Sequence, residues 1–443
     1  MGFIPDFGSL AFTIVAFVAA LSIIVAIHEY GHYIVGRWSG IQADVFSIGM
    51  GPVLFARTDR RGTRWQIAAF PVGGYVKFRG DANAASVGQA DTPGLDPEGA
   101  RATMAGAPLW ARAATVAAGP IFNFILSILV FAAILMIRGV ASDPMTVSEV
   151  RPLPYAVQEL QVGDRIEAIA GEPVPEIAQF ASFVEDLPVA PRLPYRITRD
   201  GAQLEIDGPY PYPPVVGSVT PQSAAAGTDL EPGEVVTAVN GQEVFAFTQL
   251  RDAVGNSDGQ TVTLTVWSPE TEETRAVELT PKRMDLPLPE GGFETRWLLG
   301  ITGALYITPE RDTPNPFSAL AYGVEQVGFI IQSSLSGIYH IAAGAISSCN
   351  LQGPIGIAQT SGAAASAGAL SFVWFIAVLS TAVGFLNLFP IPILDGGHLV
   401  FHAYEAVRGR PPSDQALNVL MAIGLALLGT LMVFAIGNDF LCP

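Results

Sequence analysis

One short motif joins side chains that can hold a metal to a side chain that can move a proton. His28, Glu29 and His32 form the sequence H-E-x-x-H, directly after an apolar run from Phe7 to Ile27. On a helix, the two imidazoles lie on one face about 6 Å apart along the axis. They can share one metal, and the carboxylate between them can take a proton from a nearby water. The alternative is a helix end whose polar side chains reach the lipid headgroups, but such residues are costly at membrane depth.

A third metal ligand is expected far along the chain. The segment Asn387–His398 contains Pro390 and Pro392, which break a helix, and Asp395, which has no cation nearby in sequence. Backbone freed by proline at membrane depth is tolerated only where protein or a cavity satisfies it. A carboxylate there is costly unless it meets a cation, and a zinc ion held by two histidines meets that requirement. We favour Asp395 over the competing His398, because a His-His-carboxylate set leaves a fourth position open for water.

The composition indicates a membrane protein that carries a soluble insert. Half of the 443 residues are hydrophobic and only 14% are charged, which is unusual for a soluble chain. Two cysteines, Cys349 and Cys442, are too few for a disulfide framework and lack metal-type spacing. The first apolar run has no basic segment before it and no convincing cleavage site, so we interpret it as a retained span.

Four membrane spans are predicted from charge-poor stretches long enough for a hydrocarbon core of about 30 Å. They are roughly Leu10–Val35, Ala113–Ile137, Ser371–Leu394 and Ala416–Ile436. The uncharged stretch Val327–Ile346 could be taken for another span. We interpret it as an amphipathic helix on the outer interface, within a segment 313–350. An extra crossing would carry Asp395 to the opposite side of the membrane from the two histidines.

Basic residues in the short loops predict the orientation. Between residues 37 and 79, in the loop that joins the first two spans, seven basic residues occur against only Asp44 and Asp59, and the loop between the last two spans carries Arg408 and Arg410. Both loops are therefore assigned to the cytoplasm. This places the termini and the long middle segment outside, and the metal site near the cytoplasmic side. The seven basic residues are Arg37, Arg57, Arg60, Arg61, Arg64, Lys77 and Arg79.

The middle segment, 139–312, differs in composition and repeats itself. It holds 27 acidic and 11 basic residues, a net charge of −16 out of −17 for the whole chain. Residues 161–174 align without gaps on 231–244, and each copy closes a strand at a tight turn. These turns are Ala170-Gly171 and Asn240-Gly241.

This repeated block resembles the PDZ domain, which implies two tandem α+β PDZ-like domains at 143–212 and 213–284. The resemblance implies that they bind extended peptides by adding a strand to an exposed edge. The alternative is a plug that excludes bulky substrates by size. Neither copy shows an obvious carboxylate-binding loop, and the sequence leaves both possibilities open.

Together, the motifs resemble the site-2 protease family of intramembrane zinc metalloproteases, of the bacterial regulator of sigma-E protease type. The resemblance covers nearly the whole chain and implies that His28, His32 and Asp395 bind Zn²⁺. It implies that Glu29 is the general base and that Asn387 positions the substrate, although Asn387 could instead make a helix-packing hydrogen bond. Met50 departs from the family, which often has Phe there. Further matching segments are 46–52, 74–78, 119–124 and 353–356.

The same resemblance places a membrane-associated β-hairpin within residues 43–80. Its edge strand would pair with a substrate helix that has unwound, because a helix buries its carbonyls in its own hydrogen bonds. A plain cytoplasmic hairpin without a substrate role is the alternative. The residues of this expected substrate edge strand are Gly74, Tyr75, Val76, Lys77 and Phe78.

We therefore expect an α-helical polytopic membrane protein, with four transmembrane helices, a membrane-associated β-hairpin and two inserted PDZ-like domains. Residues 1–138 and 370–443 would form the two catalytic membrane halves. The expected function is an intramembrane zinc metalloendopeptidase of the bacterial inner membrane. It would cut within transmembrane segments of single-span proteins, such as a pre-trimmed anti-sigma factor or remnant signal peptides.

The expected partners are these substrates, the lipid bilayer and peptide ligands of the PDZ-like domains, and no nucleic acid is expected. The alternative from a different class is a catalytically inactive PDZ-bearing membrane scaffold. The complete set of His28, Glu29, His32 and Asp395 argues against a scaffold. A transporter is disfavoured because the sequence shows no inverted repeat.

Overall fold

The computed structural model describes residues 7–80, 97–155, 159–220, 223–288 and 292–441, so Cys442 lies outside the described residues. Ten α-helices and three short 3-10 helices occur within this part of the chain. The α-helices are α1 Phe7–Trp38, α2 Pro97–Arg101, α3 Leu109–Arg138, α4 Phe180–Asp186, α5 Phe247–Gly255, α6 Pro316–Ala342, α7 Pro354–Ser366, α8 Ala369–Asn387, α9 Asp395–Arg408 and α10 Asp414–Leu441. The 3-10 helices are Ile177–Gln179, Ala225–Gly227 and Ser348–Asn350.

Eighteen strands occur among the described residues. They are β1 Ala43–Thr58, β2 Arg64–Phe78, β3 Val140–Ala141, β4 Val147–Val150, β5 Arg165–Ile169, β6 Glu172–Pro173, β7 Leu193–Arg199, β8 Ala202–Gly208, β9 Val216–Val219, β10 Val235–Val239, β11 Gln242–Glu243, β12 Val262–Trp267, β13 Thr274–Leu279, β14 Lys282–Pro287, β15 Phe293–Leu298, β16 Ile301–Gly303, β17 Ile307–Pro309 and β18 Arg311–Asp312.

The chain divides into two compact units. The first comprises the described residues of Met1–Ile134, Asn315–Ala342 and Ser347–Pro443, and the second those of Leu135–Pro314 with Ala343–Ile346. The first unit therefore brings together the two ends of the sequence. The second contains the acidic middle segment.

Four helices of the described chain are long and apolar enough to cross a membrane: α1 from Leu10, α3, α8 and α10. These are the four predicted spans, and their number is confirmed. The third ends at Asn387 and not near Leu394, because Pro390 and Pro392 cannot continue a helix. After the break, α9 begins at Asp395 itself.

Helix α6 contains most of the stretch that could have been a fifth span, and it is not among the four candidate spans. It packs against α8 and against α3, where a Cβ on Gly323 would lie 2.5 Å from the Ile128 carbonyl oxygen. The glycine therefore permits close backbone approach. The location of α6 at the outer interface stays a prediction.

Helix α7 packs along α1, and its first turn is held by a carboxylate from the end of α10. Asp439 accepts hydrogen bonds from the backbone N–H groups of Gly353, at 2.7 Å, and Ile355, at 2.9 Å. Negative charge at a helix N-terminus satisfies unpaired N–H groups and complements the helix dipole. The 353–356 segment thus serves to start a helix that supports α1.

Strands β1 and β2 are long, and each contributes two separately paired segments to one small sheet. Residues 43–48 pair with 74–78 on one side, and residues 45–48 pair with 64–67 on the other. Residues 53–58 pair with 64–68. The predicted edge strand therefore does lie at an edge, and it pairs with β1 alone among the described residues. The opposite end of the hairpin exposes the large apolar side chains Met50, Leu54, Phe55, Ile67 and Phe70.

The second unit shows the sequence repeat in three dimensions. One copy forms a sheet of order β6-β5-β7-β8 and the other a sheet of order β11-β10-β12-β13. Both tight turns are confirmed, with φ of 53° at Ala170 and 49° at Asn240. The acidic residue of each Gly-acid turn pairs with an arginine: Asp164 with Arg199 and Glu234 with Arg275.

The two copies are nested along the chain. Strand β9 of the second copy pairs with β16, and β4 of the first copy pairs with β17, which comes later still. Tyr306 and Ile307 lie in the hydrophobic core of the first copy, far in sequence from residue 212. Strands that complete both copies therefore lie beyond residue 284. The identification of the copies as PDZ domains stays a prediction.

Candidate metal centre

Three side chains from two helices converge on one point in the first unit. Helix α1 presents His28 and His32 one turn apart, with their Nε2 atoms 3.2 Å from each other. Asp395, the first residue of α9, places Oδ2 3.1 Å from the His28 Nε2 and 3.5 Å from the His32 Nε2. All three ligand-type atoms lie within 4.8 Å of one another.

The outer nitrogens of both imidazoles meet helix α3. His32 donates from Nδ1 to the Thr115 carbonyl oxygen at 2.9 Å, which leaves its Nε2 lone pair directed at the shared point. The Nδ1 of His28 lies 3.2 Å from the side-chain nitrogen of Asn123. Each ring is therefore oriented from behind, as in metal sites where a second contact fixes the imidazole.

Two nitrogens and one carboxylate oxygen at this spacing fit zinc, which accepts such ligands in a tetrahedral set with one position left open. The competing ligand, His398, lines the same cavity but is not part of the converging group. The geometry therefore agrees with the choice of Asp395.

Close contact between α1 and α3 depends on glycine. A Cβ on Gly119 would lie 2.4 Å from the His32 Nε2 and 2.8 Å from the His28 Cε1. On the facing helix, a Cβ on Gly31 would lie 2.5 Å from the Ala118 carbonyl oxygen. Both distances are too short for real atoms, so these positions have no room for a larger residue.

Two features bring Asp395 to the histidines. The chain between α8 and α9 folds back tightly, and Cβ atoms on Gly396 or Gly397 would meet backbone oxygens at 2.2 Å. Farther along α9, Glu405 accepts two hydrogen bonds from Arg112 of α3, at 2.6 and 3.0 Å. Bidentate pairs of this kind fix both partners geometrically, so the later part of α9 is held to α3, while Asp395 at its start contacts the two histidines of α1.

A cavity of about 440 Å³ adjoins the three converging side chains. Glu29 and Val76 of the edge strand both line it, and the Glu29 Cγ would lie 3.2 Å from a Cβ on Gly74 of the same strand. Gly74, Tyr75 and Phe78 also line the cavity, whereas Lys77 does not. The predicted edge strand thus lies beside the candidate base.

Asn387 lines the cavity as well. Its side-chain nitrogen donates to the Val383 carbonyl oxygen one turn earlier in α8, at 3.1 Å. This is the helix hydrogen bond that the sequence left open as an alternative. It uses one N–H, so the amide can still offer its other N–H and its oxygen.

Sequence reasoning singled out segment 119–124 only as a family match and gave no role to Gly119 or Asn123, and it missed the Arg112–Glu405 pair. Asn123 is fully buried in a span, and an unexplained polar residue at membrane depth is itself a sign of function. That sign was available in the sequence. The Arg112–Glu405 pair was not, because its partners are 293 positions apart.

One more histidine, His402, faces the same cavity from the α9 segment between the last two candidate spans. Burial, together with the nearby positive charge of Arg112, lowers the pKa of His402 to about 4. His402 is therefore neutral at physiological pH.

Comparison with known proteins gives a consistent picture. The sequence model of peptidase family M50 matches residues 16–431 of this chain. Proteins of Agrobacterium fabrum and Rhizobium meliloti, both named "Putative zinc metalloprotease", are each 36% identical to this chain; the alignments cover 98% and 97% of it, and 96% and 97% of those proteins. The "Regulator of sigma-E protease RseP" of Salmonella typhimurium is 30% identical over 98% of this chain and 99% of its own length.

Proposed function

We infer the roles of the site residues from one premise: this chain belongs to peptidase family M50, and it is an intramembrane zinc metalloprotease. We propose that His28, His32 and Asp395 hold the zinc ion. The convergence of their three ligand atoms beside Glu29 and an edge strand is the observation that carries this assignment. A scaffold that had lost catalysis would have no need to keep all of these groups together.

When bound there, zinc supplies a Lewis acid that polarises the scissile carbonyl and makes water nucleophilic near neutral pH. Glu29 accepts the proton of the attacking water and returns it to the leaving amine. The side chain of Glu29 lies against the edge strand, because its Cγ would be 3.2 Å from a Cβ on Gly74. The orientation of Glu29 thus depends on the same strand that would bind the substrate.

The edge strand at 74–78 is proposed to pair with the unwound substrate. Its outer side faces the cavity, and no other strand of the described residues pairs with it there. Pairing would satisfy the backbone groups that an opened helix exposes. Asn387 would hold the substrate backbone with the part of its amide that Val383 does not use.

The proposed substrates are transmembrane segments of single-span proteins, which fit a site built between apolar helices. The loop charges in the sequence support a bacterial inner-membrane location with the cytoplasm on the side of the β1–β2 hairpin. The second unit would then lie in the periplasm. Whether its two copies bind peptides or exclude bulky substrates is addressed by the deletion described below.

Replacing Glu29 with Gln tests the role of the base. The variant should keep about one zinc per chain, since Glu29 is not a proposed ligand, and lose proteolysis by about 10²-fold to 10⁴-fold. Zinc content and cleavage of a single-span substrate are measured side by side in wild type and variant. Proteomics of membrane fractions should show single-span proteins that accumulate with Glu29→Gln. Near wild-type cleavage would rule out Glu29 as the base.

A further inference from the structure

A histidine that binds a metal through Nε2 carries its ring proton on Nδ1, and that N–H requires an acceptor. For His32 the acceptor is plain, because its Nδ1 lies 2.9 Å from the Thr115 carbonyl oxygen. For His28 the neighbour is the amide of Asn123. An amide can either donate or accept, so the choice decides which His28 nitrogen is free for a ligand.

The surroundings of Asn123 favour acceptance. Its Oδ1 is buried and has no hydrogen-bond partner among the described residues, while its Nδ2 lies 3.2 Å from the His28 Nδ1. A buried carbonyl oxygen without a hydrogen-bond partner destabilises the fold, so such oxygens are rare. A half-turn about the Cβ–Cγ bond exchanges the two ends of the amide. It would place Oδ1 against the Nδ1 proton and give that oxygen its partner.

We propose that Asn123 is the positioning residue of His28: its side-chain oxygen accepts the Nδ1 proton and thereby leaves Nε2 free to bind zinc. This proposal rests on the function proposed above. It gives each histidine ligand a separate acceptor on α3, a backbone oxygen for His32 and a side-chain oxygen for His28. Partners of this kind commonly change metal affinity by about 10-fold to 100-fold.

The side chain of Asn123 can be tested apart from its backbone. The backbone carbonyl oxygen of Asn123 accepts hydrogen bonds from the hydroxyls of Ser127, at 3.0 Å, and of Ser380 in α8, at 3.0 Å. The bond from Ser380 joins α3 to α8, and neither bond involves the amide. Ser127→Ala is therefore a matched control, since it removes a buried hydrogen bond next to Asn123 and leaves the amide of Asn123 intact.

The experiment measures the zinc dissociation constant of the purified full-length protein by competition with a chelator. Asn123→Leu should bind zinc about 10-fold to 100-fold more weakly than wild type. Asn123→Asp should regain most of the affinity, because a carboxylate can only accept. Ser127→Ala should stay within about threefold of wild type.

Two results would overturn the proposal. Asn123→Leu could bind as tightly as wild type, or Asn123→Asp could bind as weakly as Asn123→Leu, which would mean that the amide donates. If Asn123→Leu does not fold, ¹⁵N-histidine NMR of zinc-loaded wild type decides instead. A protonated Nδ1 on His28 supports the proposal, and a protonated Nε2 refutes it. A wild type that binds no zinc would refute the proposed function itself.

Discussion

His28, His32 and Asp395 show how little local sequence is needed to predict a candidate ligand set. The i, i+4 spacing fixes the two imidazoles on one helix face, and their Nε2 atoms lie 3.2 Å apart. The proposed third ligand comes from a proline-broken segment, where a carboxylate at membrane depth has no cation nearby in sequence. Both features could be predicted because each depends on the chemistry of a few neighbouring residues.

The choice between the two candidate third ligands gives a direct prediction. Asp395→Ala should reduce zinc from about one per chain to nearly none, because it removes one of three converging donors. His398→Ala should keep its zinc, since His398 only lines the cavity. Metal analysis of both variants after dialysis checks this. Full zinc in Asp395→Ala together with loss in His398→Ala would reverse the assignment.

Helices α1 and α3 can approach as closely as they do because glycine occupies the contact. The resemblance singled out segment 119–124 but did not indicate this role for Gly119, because the role arises only when α3 packs against the histidines. A Cβ there would lie 2.4 Å from the His32 Nε2. Packing between spans enriched in small residues is common in membrane proteins, but which glycine faces a ligand depends on the tertiary fold.

Gly119→Ala should therefore disturb the metal site without removing a ligand. We expect zinc affinity to fall by about 10-fold to 100-fold, the range that is typical when the orientation of metal ligands is disturbed. The control is Gly429→Ala in α10, where an added Cβ meets nothing within 4 Å. Chelator competition on both variants makes the comparison. If both variants bound zinc equally tightly, the close approach of α1 and α3 would not be needed for zinc binding.

The repeated copies were recognisable because Gly-acid turns and tight hairpins leave local signals in the sequence. The strands that complete them were not, since β16 and β17 are only three residues long and pair across long separations. Short segments of this kind carry almost no periodicity. Their partners could be found only from the fold.

The nesting predicts which fragments are stable. A fragment of residues 139–312 contains β17, whereas 143–284 lacks it together with the buried Tyr306 and Ile307. The free energy of unfolding of the shorter fragment should be lower by at least about 3 kcal/mol, as expected when large core side chains are lost. Within 139–312, Tyr306→Ala should reproduce much of this loss and Thr308→Ala should not. Denaturant titration measures all four, and equal stabilities would contradict the nested arrangement.

At the scale of the whole molecule, nearly all of the net charge belongs to one insert between the second and third spans. The insert leaves and returns at one place, because β3 pairs with β18 and Arg311 donates to the Arg138 carbonyl oxygen at 3.1 Å. Because the first and last residues of the insert lie next to each other, a short linker can replace the insert without pulling the flanking residues apart. The two catalytic halves should therefore remain assembled when the insert is absent.

A size filter and a peptide receptor make opposite predictions for this insert. Replacing residues 139–312 with a short Gly-Ser linker should leave zinc binding intact, because every proposed ligand lies in the first unit. If the insert excludes bulky domains, the shortened protein should cleave a substrate that keeps its full ectodomain, which wild type rejects. If the insert captures peptides, the shortened protein should fail even on the trimmed substrate. Each substrate form is assayed against both proteins, with Glu29→Gln in the shortened protein as the inactive control. We expect the size filter, and rejection of the full-length substrate by the shortened protein would overturn it.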